Sequence, residues 1–250
     1  MSYLDREGVR IWYEVAGAGD RLPMVLSHGF GSSARMWAPN LAALTADRPV
    51  ITWDLRGHGR SDAPEQQDLY TAQACIDDLA ALLDAAGIAR AVIGGLSLGG
   101  YLSLAFARQH PERVAALVLC DTGPGYRNDR ARQEWNDRAL AQADRLESQG
   151  LVALGGDQAQ HTSAAGIARA ARGMLTQHDA TVIESLPAIA VPTLVLVGSR
   201  DQPFLGAANY LAAKIPGAVQ VVIEGAGHVS NVDEPAQFNQ QVASFLARVG

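Results

Sequence analysis

Short apolar runs alternate with longer stretches of helical period along most of this chain. Residues 9–15 and 23–27 predict an opening pair of strands. Residues 50–53, 91–93, 115–120, 193–197 and 219–223 are near-continuous apolar runs, which suit strands buried on both faces of a mostly parallel sheet. Between them, residues 71–86, 98–109 and 207–214 repeat apolar positions at helical spacing. A last helix is predicted from Pro235, at a permitted first-turn position, to Val249. The alternation predicts an α/β fold, a mostly parallel sheet flanked by helices on both faces. Residues 123–186 break it, with helical segments at 130–149, 164–175 and 180–186 and no strand. Because the sheet resumes at Thr193, the pattern predicts a single domain over residues 1–250 with a helical cap insertion at about 123–186.

Composition narrows the picture. With 250 residues and 48% hydrophobic content, the chain can bury a large core. No stretch approaches a membrane-spanning apolar run, and the start, Met1-Ser2-Tyr3-Leu4-Asp5-Arg6-Glu7, carries charges where a signal peptide needs an apolar region. The expectation is a cytoplasmic protein with no membrane partner. The net charge of −6 and the scattered arginines argue against a nucleic-acid partner. Cys75 and Cys120 fall in apolar patterns, as small core residues do. A homodimer is one assembly the sequence allows.

The chemistry concentrates in Gly94-Gly95-Leu96-Ser97-Leu98-Gly99-Gly100. A strand-like run precedes this segment and helix formers follow, the strand–turn–helix context in which G-x-S-x-G builds a nucleophile elbow. Residues two before and two after the serine must be nearly bare backbone, which Gly95 and Gly99 supply. A serine hydroxyl needs a base, and the base needs an orienting carboxylate. Asp201 follows the run at 193–197, and His228 follows the run at 219–223, in the chain order Ser97, Asp201, His228 expected of this triad. Asp121, ending the strand before the cap, is the competing acid. The backbone N–H of Leu98, at a helix start, is one oxyanion donor. The second is the N–H of Phe30 in His28-Gly29-Phe30-Gly31, with the phenylalanine ring predicted to line the acyl pocket. His28 reads as a structural hydrogen-bonder, and His161 has no assigned role.

Four motifs together resemble the α/β-hydrolase superfamily over nearly the whole chain. They are Ser27-His28-Gly29-Phe30-Gly31, Asp54-Leu55-Arg56-Gly57-His58-Gly59-Arg60-Ser61-Asp62, Gly95-Leu96-Ser97-Leu98-Gly99-Gly100 and Gly225-Ala226-Gly227-His228. The resemblance implies that the second motif is chiefly architectural. A serine rather than an aspartate at the elbow excludes the alkyl-enzyme route of haloalkane dehalogenases and epoxide hydrolases. Leu119-Cys120-Asp121-Thr122 and Trp135-Asn136-Asp137-Arg138 resemble the 3-oxoadipate enol-lactonase group and its carboxylesterase neighbours. Two departures stand out: Asp121 replaces that group's usual asparagine, and its Arg-Trp-Phe-Thr stretch has no counterpart in this cap.

The implied activity is hydrolysis of small-molecule esters or lactones through an acyl-serine, with no metal and no organic cofactor. Carbon–carbon bond hydrolases and lyases of the fold use the same triad, but tend to place a basic residue near the elbow where this chain has Tyr101. A haloperoxidase side reaction and a slow-turnover ligand receptor are the other readings the motifs leave open. Trp135 and Tyr101 are the candidate substrate contacts. Leu140, Leu146, Leu151, Leu154, Met174 and Leu175 are candidates for a pocket roof or the cap's own core, and Arg127, Arg138, Arg169 and Arg172 for binding a substrate carboxylate.

Overall fold

The computed structural model describes residues 2–156 and 158–249. The chain opens with β1 (Ser2–Arg6) and β2 (Val9–Ala16), joined by Glu7 and Gly8 at φ +56° and +87°. Two consecutive positive φ values give a turn whose twist matches the flanking strands. There follow β3 (Met24–Ser27), α1 (Ala38–Leu44), β4 (Val50–Trp53), α2 (Ala72–Ala85), β5 (Ala91–Leu96), α3 (Leu98–Gln109) and β6 (Val114–Cys120). Helices α4 (Asp129–Gln149), α5 (Ala164–Ala170) and α6 (Thr181–Ser185) separate β6 from β7 (Thr193–Gly198). The chain closes with α7 (Gln202–Lys214), β8 (Val219–Ile223), α8 (Ser230–Asp233) and α9 (Pro235–Leu246).

The strands form one eight-stranded sheet in the order β1-β2-β4-β3-β5-β6-β7-β8. β1 and β2 are antiparallel to their neighbours, and every pairing from β4 to β8 is parallel. β5 and β6 are buried at every position, so beyond the register irregularity at Ala91 and Val92 their side chains alternate between two separate cores. Ile93, Leu117 and Leu119 pack beneath α2, α3 and α7, whereas Val92, Val118 and Cys120 pack on Trp37, Phe238 and Val242 on the other face. This is the mostly parallel α/β sheet, flanked by helices on both faces, that the apolar runs predicted.

Three expectations need correction. Strand β1 was not anticipated, because an edge strand reading Ser-Tyr-Leu-Asp-Arg is half-exposed and has no apolar run to betray it. The opening pair at 9–15 and 23–27 are not neighbours, since β4 lies between β2 and β3. α7 begins at Gln202, five residues before the apolar period starts, with Pro203 in its first turn.

The sheet order positions the site. From β3 the chain returns to β4 on one side, and from β5 it advances to β6 on the other. The loops after β3 and β5 therefore diverge, which leaves a crevice at their carboxyl ends, where ligands of open α/β sheets bind.

Candidate active site

Ser97 stands in that crevice between β5 and α3, half-buried, at φ +53° and ψ −115°. A non-glycine residue in this conformation is strained and persists only where its surroundings fix it. They do. The Ser97 N–H donates to Cys120 O at 2.9 Å, and its carbonyl accepts the Tyr101 N–H at 3.0 Å and the Thr122 hydroxyl at 2.6 Å. The flanking glycines are steric necessities: a Cβ on Gly99 would lie 2.2 Å from Ser27 O, and one on Gly95 2.4 Å from Gly99 C. The sequence names Thr122 only as part of the Leu119–Thr122 stretch and gives it no such role; Gly100, whose Cβ would meet the Thr122 methyl at 2.6 Å, makes room for it.

His228 Nδ1 is 2.8 Å from Asp201 Oδ2. Asp201 is buried at the start of α7, and the His228 ring stacks on Phe204 at 4.7 Å between centroids. An ionised carboxylate only accepts, so Nδ1 carries the proton and Nε2 keeps a free lone pair. Ser97 and Phe204 line the same cavity. Among the described residues no hydrogen bond joins the Ser97 hydroxyl to His228, a contact that often tightens only once substrate is bound.

Asp121, the competing acid, does something else. It is fully buried at φ +46°; Oδ1 accepts the Gly198 N–H at 2.8 Å, and Oδ2 accepts the Ser230 N–H at 3.2 Å and hydroxyl at 2.5 Å. It therefore ties the loop that leads to Asp201 to the residue two beyond His228. Burial pushes its carboxyl up to about 6 despite these donors.

The loop after β3 comes alongside Ser97, since a Cβ on Gly29 would stand 3.4 Å from Ser97 Cβ. His28 holds this loop. Its Nε2 accepts the Leu55 N–H at 3.0 Å, which leaves the proton on Nδ1 to donate to Gly29 O at 2.7 Å. Full burial lowers His28 to about 3, so it is neutral and structural, as expected. The Leu98 N–H opens α3, where first-turn donors have no intrahelical acceptor. The ring of Phe30 departs from expectation. It packs edge-on against His58 at 5.7 Å and on the core formed by Ala143, Leu146 and Ile167, outside the cavity wall.

The 54–62 loop is architectural. Asp54 accepts the Ala34 N–H at 2.7 Å and the Arg60 N–H at 2.9 Å, and Arg56 makes a two-pronged bond to buried Asp78 at 2.6 and 2.8 Å. His161 was missed as a linker: Nδ1 accepts the Gly59 N–H at 3.1 Å and Nε2 lies 3.0 Å from Gly31 O. The helical segment is thereby fastened to both active-site loops. No local pattern announces a contact across 102 and 130 residues.

The cavity holds about 470 Å³ and is walled by Tyr101 and Thr122, by Trp135, Met174 and Leu175, and by Pro203 and Phe204. The Trp135 indole N–H donates to Leu175 O at 2.8 Å, which fixes the ring in the wall. Burial raises the Tyr101 phenol to about 12, so it stays uncharged. Of the candidate roof leucines only Leu175 lines the cavity; Leu146, Leu151 and Leu154 form the segment's own core and Leu140 is exposed. Among the four arginines, Arg138 lines it. Arg172 pairs with Asp144 and Glu147, Arg169 approaches Pro64 O at 3.4 Å, and Arg127 lies outside.

The alpha/beta hydrolase family model matches residues 24–241. The chain belongs to the alpha/beta hydrolase family. Within this family it is similar to a thermophilic esterase from Thermogutta terrifontis, 30% identical with a TM-score of 0.87 over 100% of this chain and 99% of that one. The enol-lactonase of Burkholderia xenovorans LB400 superposes with a TM-score of 0.80 at 30% identity, covering 99% of this chain and all of that one. The 3-oxoadipate enol-lactonase 1 of Acinetobacter baylyi is 27% identical over 98% of this chain and 96% of its own. This alpha/beta hydrolase is thus a hydrolytic enzyme with esterase and lactonase relatives along its full length. No helix among the described residues is long and apolar enough to cross a membrane.

Proposed function

We propose that the protein hydrolyses carboxylic esters or lactones through an acyl-serine intermediate, with Ser97 as nucleophile, His228 as base and Asp201 as its orienting acid. The observation that carries this reading is the strained Ser97 elbow at the crevice beside a His228 already bonded to buried Asp201. His228 Nε2 takes the Ser97 proton as Oγ attacks the carbonyl carbon. Negative charge gathers on the carbonyl oxygen, facing the N–H groups of Leu98 and Phe30. Collapse expels the alkoxide or enolate, which takes the proton from His228. Water, deprotonated by the same nitrogen, then attacks the acyl-serine and releases the acid. Trp135 and Tyr101 contact the substrate from the cavity wall, and residues 123–186 act as a cap over the one catalytic domain. The chemistry needs no metal or organic cofactor, and the site of action is the cytoplasm.

The test is release of p-nitrophenol from acetate, butyrate, octanoate and laurate esters by wild type and Ser97→Ala. Removal of the nucleophile lowers kcat by roughly 10⁴ to 10⁶ if it acts within a triad. Wild-type turnover in the alanine variant would sink the assignment. Absence of turnover on esters and lactones alike would favour carbon–carbon bond cleavage on the same triad.

A further inference from the structure

Most polar side chains of the cavity wall are either engaged or partly open to solvent. Thr122 donates to Ser97 O and the Trp135 indole to Leu175 O, whereas Tyr126 and Tyr210 are half-exposed and Arg138 is exposed. Gln177 differs. It is only 8% exposed, and its buried Oε1 has no hydrogen bond among the described residues. The backbone beneath is clamped: Asn136 Nδ2 on α4 donates to Gln177 O and Asn136 Oδ1 accepts the Gln177 N–H, both at 2.8 Å. Asn136 therefore fixes Gln177 at the wall while the amide itself stays unpaired. Oε1 stands over Gly125, where an added Cβ would meet it at 2.8 Å and Tyr101 Cε2 at 3.4 Å. Gly125, Tyr101 and Gln177 all line the cavity, and the Tyr101 phenol likewise has no hydrogen bond among the described residues.

A buried amide oxygen without a partner costs free energy that a ligand's donor recovers. The last torsion of glutamine is broad and roughly two-fold, and this amide has no bond to break, so it turns Oε1 towards the cavity readily. Oε1 needs a donor, which a carboxylate, a ketone or an ether cannot give. An ammonium group is disfavoured by Arg138, which lines the same cavity. A hydroxyl gives its proton to Oε1 and a lone pair to the Tyr101 phenol, and so satisfies both. Lactones generate such a group in the reaction itself. Once His228 protonates the departing ring oxygen, the acyl-serine carries that hydroxyl, which closes the ring again unless it is held away. We infer that Gln177 and Tyr101 together bind a hydroxyl on the acyl group, so that the preferred substrates are lactones and esters of hydroxy acids. This rests on the acyl-serine reading above for the reaction, but not for the binding.

The experiment measures kcat/KM for the p-nitrophenyl esters of ω-hydroxyhexanoate and ω-hydroxyoctanoate. Each is set against esters of equal chain length that end in methyl or in methoxy, and uncatalysed release, ring closure included, is subtracted. The hydroxyl-to-methyl ratio is compared in wild type, Gln177→Met, Tyr101→Phe and Gln133→Met, the last an exposed glutamine on α4 that bonds Asp137. Wild type should favour the hydroxyl esters, because a site built to bond a hydroxyl rejects the analogue that lacks it. Gln177→Met and Tyr101→Phe are each expected to lower the ratio about tenfold, through KM, as loss of one net hydrogen bond does. Gln133→Met should leave it at the wild-type value. Methoxy esters accept but do not donate, and should behave as the methyl esters do. A wild-type ratio of one or less, an unchanged ratio in Gln177→Met or Tyr101→Phe, or methoxy esters favoured as strongly as hydroxyl ones overturns the proposal. Calorimetric binding of methyl ω-hydroxyhexanoate against methyl hexanoate to Ser97→Ala supplies a readout independent of turnover. A fall in that binding ratio when Gln177→Met is added supports the site even if wild type cleaves no ester, in which case only the acyl-serine reading fails. A binding ratio that Gln177→Met leaves unchanged overturns the site itself.

Discussion

At the scale of single residues, two buried aspartates near the site carry different burdens. Asp201 bonds the imidazole, whereas Asp121 bonds a glycine N–H and Ser230. Asp201→Asn would present a donor to Nδ1 and favour the wrong tautomer, so kcat should fall by about 10⁴. Asp121→Asn keeps an acceptor for the Gly198 N–H and should retain kcat within about tenfold. Steady-state rates of the two variants decide between the acids, and the reverse order would reassign the triad. Ser97, Asp201 and His228 are legible as candidates because the proposed chemistry fixes their types and each follows an apolar run. The roles of Thr122 and His161 are not, since neither side chain signals a contact until folding brings backbone partners to it.

At the scale of elements, the helical segment docks through bare backbone. A Cβ on Gly173 would lie 1.8 Å from Tyr70 O, and one on Gly166 2.7 Å from Ala63 Cβ. Gly173 sits in a short π-helical stretch, Ala171–Leu175, whose Met174 and Leu175 face the cavity. Gly173→Ala must push this stretch off the Tyr70 carbonyl. Overpacking of this kind costs about 1–3 kcal/mol, equivalent to a fall in Tm of several degrees for a chain this long. The displacement reaches the cavity wall, so KM should rise as well. Calorimetry and ester kinetics on one preparation check both, and a variant with unchanged Tm would show that the contact yields freely. Helix α3 was readable from residue to residue, because the elbow defines its start. The 164–175 helix was read as continuous, but it changes to π geometry after Ala170, where it meets Tyr70.

At the scale of the whole molecule, three buried groups set how stability responds to acid. His28 is lowered to about 3 and His58 well below its usual value, both by burial, so the unfolded chain takes up protons on both below about pH 6.5 while the native state does not. Asp121 works the other way: raised to about 6, it binds a proton in the native state before the unfolded one, and its contribution is lost as pH rises from about 4 to 6. Two histidines against one carboxyl leave about one more proton on the unfolded chain at pH 5. These groups should then reduce stability by about 1.4 kcal/mol per pH unit as pH falls from 6 to 4. Urea midpoints across that range test it, and a flat or rising profile towards acid would contradict the buried neutral imidazoles. The sequence by itself determined the layers, the central strands, the elbow and the candidate residues Ser97, Asp201 and His228, because burial on both faces demands unbroken apolar runs and a tight turn demands glycine. Only the tertiary structure decided the order of β2, β4 and β3, the partners that buried Asp121 holds, and the meeting of His161 with Gly31 and Gly59. Each depends on which distant groups meet and on which charges are already engaged, and neither is written in local periodicity.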